Sequence, residues 1–204
     1  MLDNGKIFLY WGFIDLSEKK LDRRKRYTRK VLKESLITLL AEKPISSITV
    51  KEICEMADIN RSTFYTHYSD HYDLLSKIEE EITADMNKYL SSYSFTLEEE
   101  SVQMTQKLIE YISKNKFMFQ TLLNKNGDPT FEKRLMNIAQ RFMMNNWRGV
   151  THLDEVNSRY LSTFVVSGAI NVIKDWIEND MDYSPIEMAV MINNFTNYGL
   201  SNFD

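Results

Sequence analysis

Cysteine occurs once in the 204 residues, at Cys54. No disulfide can form within the chain, and a reducing compartment such as the cytoplasm suits it. Glycine (6) and proline (3) are also scarce, so few breakers interrupt the periodic segments and helices joined by short connections are expected. No apolar run reaches the roughly 18–20 residues that span a bilayer, which argues against a membrane partner. Ile7–Ile14 is apolar behind Lys6, but it is short and no small-residue cleavage site follows, which makes a poor secretory leader. There is no glycine-rich phosphate loop, no Cys/His metal cluster and no strand-turn-helix nucleophile elbow. Catalytic residues, cofactors and a metal site are therefore not expected, and an enzyme is disfavoured. His67 and His71 stand four apart, but Ser69-Asp70 breaks the helix between them and nothing completes a ligand set.

An overall excess of positive charge is lacking too, since the net charge is −4. Its distribution is uneven. From Lys19 to Lys77 there are 13 Lys/Arg against 8 Asp/Glu, while the rest of the chain carries 12 against 21. A basic N-terminal third on an acidic remainder is the asymmetry of a nucleic-acid-binding head on a separate body, although a charge run can also be a solvated face.

The pattern reads as all-α. Residues 1–18 have no clear period and could form a loose arm or pack on the body, and 1–21 are set aside as an N-terminal arm. A first helix is expected from about Asp22 to Glu42, with Val31, Leu32, Ser35, Leu36, Leu39 and Leu40 at helical spacing. Its start is dense in Arg23, Arg24, Lys25, Arg26, Arg29 and Lys30. Cations there oppose the helix dipole, which points to an external anion such as phosphate, or to a solvated end. Thr49 with Glu52 forms a capping box for a helix through Val50, Ile53, Cys54 and Ala57. Asn60 precedes a short helix from Arg61 to about His67. Ser69 or Asp70 caps a long one to about Leu90. Thr96 with Glu99, Asp128-Pro129, Asp154 and Ser184-Pro185-Ile186-Glu187 mark further helix starts.

The informative block is Thr49 to Tyr68. Two short helices meet at a tight turn, with Ala57 small enough for close approach and Ile59 able to plug the core beneath. The second helix then presents Arg61, Ser62, Thr63, Tyr65 and Thr66, polar groups that can reach base edges and phosphates. This is helix-turn-helix logic, in which the second helix enters the major groove. Arg61 can pair with guanine, or instead cap the helix or pair with Glu55. Tyr65, Thr28, Thr49, Arg26 and Arg29 suit phosphates. His67 is a further DNA-contact candidate, although packing or hydrogen bonding at the head–body junction suits it better.

Over about Tyr27 to Ile82 the sequence resembles the TetR family of bacterial regulators. The residues that carry the resemblance are Ile48-Thr49-Val50, Ile53, Ala57, Ser62-Thr63-Phe64-Tyr65, His67-Tyr68 and Leu74-Leu75. The Arg26-Tyr27-Thr28-Arg29-Lys30 opening and Asn60 to Tyr65 also look like a branch that includes a dihydroxyacetone-kinase operon regulator. Asp58 stands where the family often has turn glycine; Asp tolerates left-handed backbone better than most residues. His71 stands where the family often has a lysine near phosphate.

The resemblance implies about nine helices. Residues 22–69 would be the DNA-binding head, and residues 70–204 a helical body that binds an effector and dimerises. The implied partners are double-stranded operator DNA, a small-molecule effector and a second copy of the chain. Met86, Tyr89, Met104, Leu108, Tyr111, Phe119, Phe142, Met143 and Trp147 are candidate pocket residues, though at helical spacing such residues are more often plain core. The last two long helices carry more apolar positions than one surface helix needs. Phe164, Val165, Gly168, Ala169, Val172, Trp176, Val190 and Phe195 are therefore the candidate dimer face. The expected function is a repressor that binds palindromic operator DNA; the alternative is an adaptor of the same fold acting through a protein partner.

Overall fold

A computed structural model of the chain describes residues 5–92, 98–124, 126–147 and 154–199, with side chains described at all of these except 5–22, 98, 99, 129 and 147. The described residues form α1 (Gly5–Glu42), a 3-10 turn (Ile45–Ser47), α2 (Val50–Ala57), α3 (Arg61–Tyr65), α4 (His71–Ser91), α5 (Glu98–Lys114), α6 (Lys116–Leu122), α7 (Pro129–Trp147), α8 (Glu155–Glu178) and α9 (Pro185–Gly199). No strand occurs among them. The fold is all-α, as the helical periods indicate.

The first helix starts at Gly5 and not near Asp22, so most of the segment set aside as an arm continues α1. No proline lies between Gly5 and Glu42, and once nucleated a helix propagates without needing an apolar stripe. The helix starts at Thr49, Asp154 and Ser184 follow the local capping chemistry. Thr49 Oγ1 accepts from Glu52 N, and Asp154 Oδ1 accepts from Asn157 N at 2.8 Å. Ser184 and Glu187 cap α9 reciprocally. Asp70 caps α4 by accepting from Asp73 N at 2.8 Å. Asn60 occupies the N-cap position of α3 without a side-chain capping bond. The proposed Thr96 cap lies outside the described residues.

The chain divides into two compact units, Met1–Leu75 and Ser76–Asp204. In the first, α1 packs on α2 and α2 on α3. Leu32, Leu36, Leu40, Ile48, Ile53, Phe64 and Leu74 are each at most 2% exposed and fill its core. Cys54 is buried there, and burial pushes its thiol pKa up, which suits an inert small apolar residue. In the second, α5 packs along α9, and α8 packs on α7 and α6. Leu90, Met104 and Ile138 form a buried cluster with Met86, Leu108 and Phe142 against it.

Candidate nucleic-acid interface and effector cavity

The helix-turn-helix is held by short-range bonds. Asp58 ends α2 in the left-handed conformation (φ 52°, ψ 44°). The Asp58 and Ile59 amides return to the carbonyls of Glu55 and Cys54, a Schellman-type stop. Aspartate thus fills the conformation that a turn glycine would fill. On α3, Phe64 is fully buried and meets the rings of Tyr65 (5.5 Å, edge-on) and Tyr68 (5.7 Å). With Phe64 locked inward, Arg61, Ser62, Tyr65 and Thr66 are exposed, while Thr63 and His67 are half-buried.

Arg26 and Arg29 lie exposed on α1 and Thr28 is half-buried. The His67 imidazole is held below the usual histidine range, chiefly by burial and then by the charges of Arg29 and Lys25. The cations of α1 and the residues just beyond α3 therefore share one positive region. A neutral His67 suits packing or hydrogen bonding better than pairing with phosphate. Glu55 pairs with Lys51 at 3.7 Å, and Arg61 makes no ion pair among the described residues. Two hydroxyls sought for phosphate already have their donors engaged: Thr49 donates to Glu52 Oε2 (2.9 Å) and Thr66 to the Thr63 carbonyl (2.6 Å). Lys43 and Thr49 hold the Glu52 carboxyl at about 2, so a carboxylate stands beside Thr49. The half-buried His71 ring lies 4.3 Å from that of Tyr72.

In the second unit a cavity of about 180 Å³ lies among α4–α9. Met86, Met104, Leu108, Tyr111, Phe119, Phe142 and Met143 line it. Tyr89 does not; its ring lies tilted against that of Tyr111, with centroids 5.6 Å apart. The side chain of Trp147 lies outside the described residues. Sequence reasoning missed the α8 and α9 wall, including Val166, Ile170, Ile173 and Asn193. Helix α8 is apolar on more than one face, so its period does not say which side turns inward.

Sequence reasoning also missed Glu79. It is 4% exposed and bonds to Arg134 of α7, which also meets Asp128 (3.4 Å). Its other oxygen, Oε1, has no partner among the described residues. Burial raises its pKa to about 7 against the pull of Arg134. The signal was legible: Glu79 stands inside the apolar stripe of Leu75, Ile78 and Ile82.

The α8–α9 surface inverts the usual pattern. Near its start α8 buries Ser158 and Ser162, while Tyr160 (65% exposed) and Phe164 (64%) face outward. Phe195 (60% exposed) lies with its ring 6.1 Å from that of Phe164, and Val172, Val190 and Met191 are exposed too. Gly168 has open space where a Cβ would stand, and Ala169 is half-buried. Two expected face residues are turned inward. Val165 is 6% exposed; Trp176 is 2% exposed, and its indole N–H donates to the Tyr183 carbonyl. Trp176 secures the α8–α9 connection within one chain, because a buried indole needs a partner.

Comparison with known proteins agrees with this architecture. Residues 99–198 match the family model for the TetR-type transcriptional regulator C-terminal region. An HTH-type transcriptional regulator of Bacillus subtilis (strain 168), YxbF, is 35% identical over 75 residues, which is 36% of this chain. The matched region spans 20% of that relative's length. Among solved structures, the dihydroxyacetone kinase operon activator DhaS superposes with a TM-score of 0.58 at 17% identity, covering 86% of this chain and 97% of its own. FadR from Bacillus subtilis, solved in complex with stearoyl-CoA, superposes with a TM-score of 0.63 at 14% identity, covering 83% and 98%. At these identities the two structures attest the fold. Among the described residues no helix is long and apolar enough to cross a membrane. With its N-terminal helix-turn-helix and matching C-terminal region, the chain belongs to the TetR family of transcriptional regulators.

Proposed function

We propose that this chain is a cytoplasmic repressor that binds palindromic operator DNA as a two-fold dimer and changes its DNA affinity when a small molecule occupies the cavity of the second unit. The observation that carries the reading is α3: Phe64 anchors it inward, its polar side chains face out, and the positive field of α1 reaches His67. Residues 22–69 act as the head and residues 70–204 as the body. Arg61, Ser62 and Thr63 read the groove, and Arg26, Thr28, Arg29 and Tyr65 hold phosphates. The outward aromatics of α8 and α9 support the dimer, since an apolar stripe of this kind is what a second copy would cover. The apolar cavity, with α4 in its wall, supports an effector site; FadR, which shares the fold, holds stearoyl-CoA in its crystal. Repression by occlusion requires only occupancy of DNA, whereas activation also needs a surface for polymerase.

The test is a gel shift of the full chain on its own upstream intergenic DNA and on scrambled DNA at several salt concentrations. Arg61→Ala should relax base preference at one position of each half-site, losing roughly 1–3 kcal/mol of discrimination there. Arg29→Ala should weaken both DNAs alike and flatten the salt dependence by about one unit of slope for each phosphate it no longer holds. Failure of the wild-type chain to prefer its own upstream DNA would remove the operator reading and favour an adaptor.

A further inference from the structure

The cavity of the second unit carries a statement about ligand chemistry that rests on reading it as the effector site. None of its lining residues is Lys, Arg, His, Asp or Glu. The polar side chains in the wall are Thr105, Tyr111, Asn193 and Thr196, and each already serves the protein. Thr105 Oγ1 donates to the Ser101 carbonyl (3.0 Å) and Thr196 Oγ1 to the Ile192 carbonyl (2.8 Å). Asn193 Nδ2 donates to the Ala189 carbonyl (2.9 Å), and its Oδ1 accepts from the buried Ser101 hydroxyl. The Tyr111 hydroxyl faces the carboxylate of Asp85, an exposed residue outside the wall, and burial together with that charge raises the Tyr111 pKa. A ligand is therefore offered carbon and sulfur surface, one remaining Asn193 amide hydrogen and a few hydroxyl lone pairs.

Two physical consequences follow. An ionised carboxylate or phosphate placed in such a wall loses its water and gains no counter-ion, which is strongly unfavourable. The volume, about 180 Å³, is near the roughly 150 Å³ of an apolar cavity that holds benzene and below the roughly 300–1,000 Å³ of sites for drug-sized ligands. We infer that the effector is a compact, uncharged, hydrocarbon-like molecule, a single ring or short branched chain with at most one neutral oxygen function, and that anionic and long-chain acyl ligands are rejected.

The full-length protein would be titrated by calorimetry and thermal shift with four probes: toluene, p-cresol, 4-methylbenzoate at pH 7.5 and palmitoyl-CoA. Toluene and p-cresol should bind and raise the melting temperature, with 4-methylbenzoate at least about 100-fold weaker. Ala139→Phe, which fills the cavity from α7, should abolish toluene binding; should that variant not fold, Ala169→Leu serves the same purpose from α8. Met143→Lys, which puts a cation in the wall, should recover 4-methylbenzoate binding at the expense of toluene. Equal or tighter binding of 4-methylbenzoate or palmitoyl-CoA to the wild type would overturn the ligand class and leave the effector site standing. Toluene binding that survives cavity filling would place it elsewhere and overturn the inference. Binding by none of the four would overturn the effector reading of the cavity itself.

Discussion

Replacing Glu79 by Gln should leave stability near the wild-type value at pH 5 and raise it above wild type at pH 8. Glu79 is 5% exposed in its side chain, and its carboxylate faces Arg134, with Asp128 as a further negative charge nearby. Burial outweighs the attraction of Arg134 and lifts the carboxyl from 4.5 to about 7. A carboxyl whose pKa is raised by folding favours the fold in its protonated form. That contribution is full below pH 4.5 and is lost as pH rises through 7. At 1.36 kcal/mol per pH unit, the loss between pH 5 and pH 8 is on the order of 2–3 kcal/mol. Glutamine keeps the shape and an acceptor for Arg134 without titrating. Arg134, 44% exposed and still bonded to Asp128 and Thr130, is not left as a stranded buried cation. The assay is urea denaturation of both proteins at one fixed concentration from pH 5 to pH 8, so that any dimer contribution is common to both. Other titrating groups, including Glu52 with its lowered pKa, cancel in the difference. A difference that stays flat within about 0.5 kcal/mol would refute the reasoning, because Glu79 would then not change protonation across that range.

Asp58→Gly should stabilise the protein by about 0.5 kcal/mol, and Asp58→Val should destabilise it by about 1–2 kcal/mol, because φ is 52° there; thermal melts of both variants check the order. Gly127→Ala should destabilise by about 1–3 kcal/mol, since the new Cβ would stand 2.3 Å from the Leu122 carbonyl oxygen, a backbone atom that cannot swing aside; denaturant midpoints read this directly. Phe164→Glu and Phe195→Glu should each give a folded monomer at micromolar concentration with weakened DNA binding. Both side chains are mostly exposed within one chain, so an unchanged dimer by sedimentation would show that this face is not the interface.

The head was largely legible in the sequence because the forces that shape it act over a few residues. Thr49 and Glu52 sit three apart and cap each other wherever a helix starts there. Asp58 takes the left-handed turn because its own backbone tolerates it. Phe64 turns inward, and that orientation exposes Arg61 and Tyr65 on the other faces of the same helix. What required tertiary structure was the direction of surfaces that look alike in one dimension. Helix α8 is apolar on more than one face, so only packing on α7 decided that Val166 and Ile173 meet the cavity, that Trp176 closes on Tyr183, and that Phe164 stays outside. Hydroxyl use was hidden as well, because Thr49 and Thr66 could address phosphate or backbone and the fold committed their protons to the protein. Glu79 stood visibly misplaced in an apolar stripe. Its partner lies 55 residues away on α7, a separation at which no local period or propensity carries information, and only the packing of α7 brought Arg134 to it.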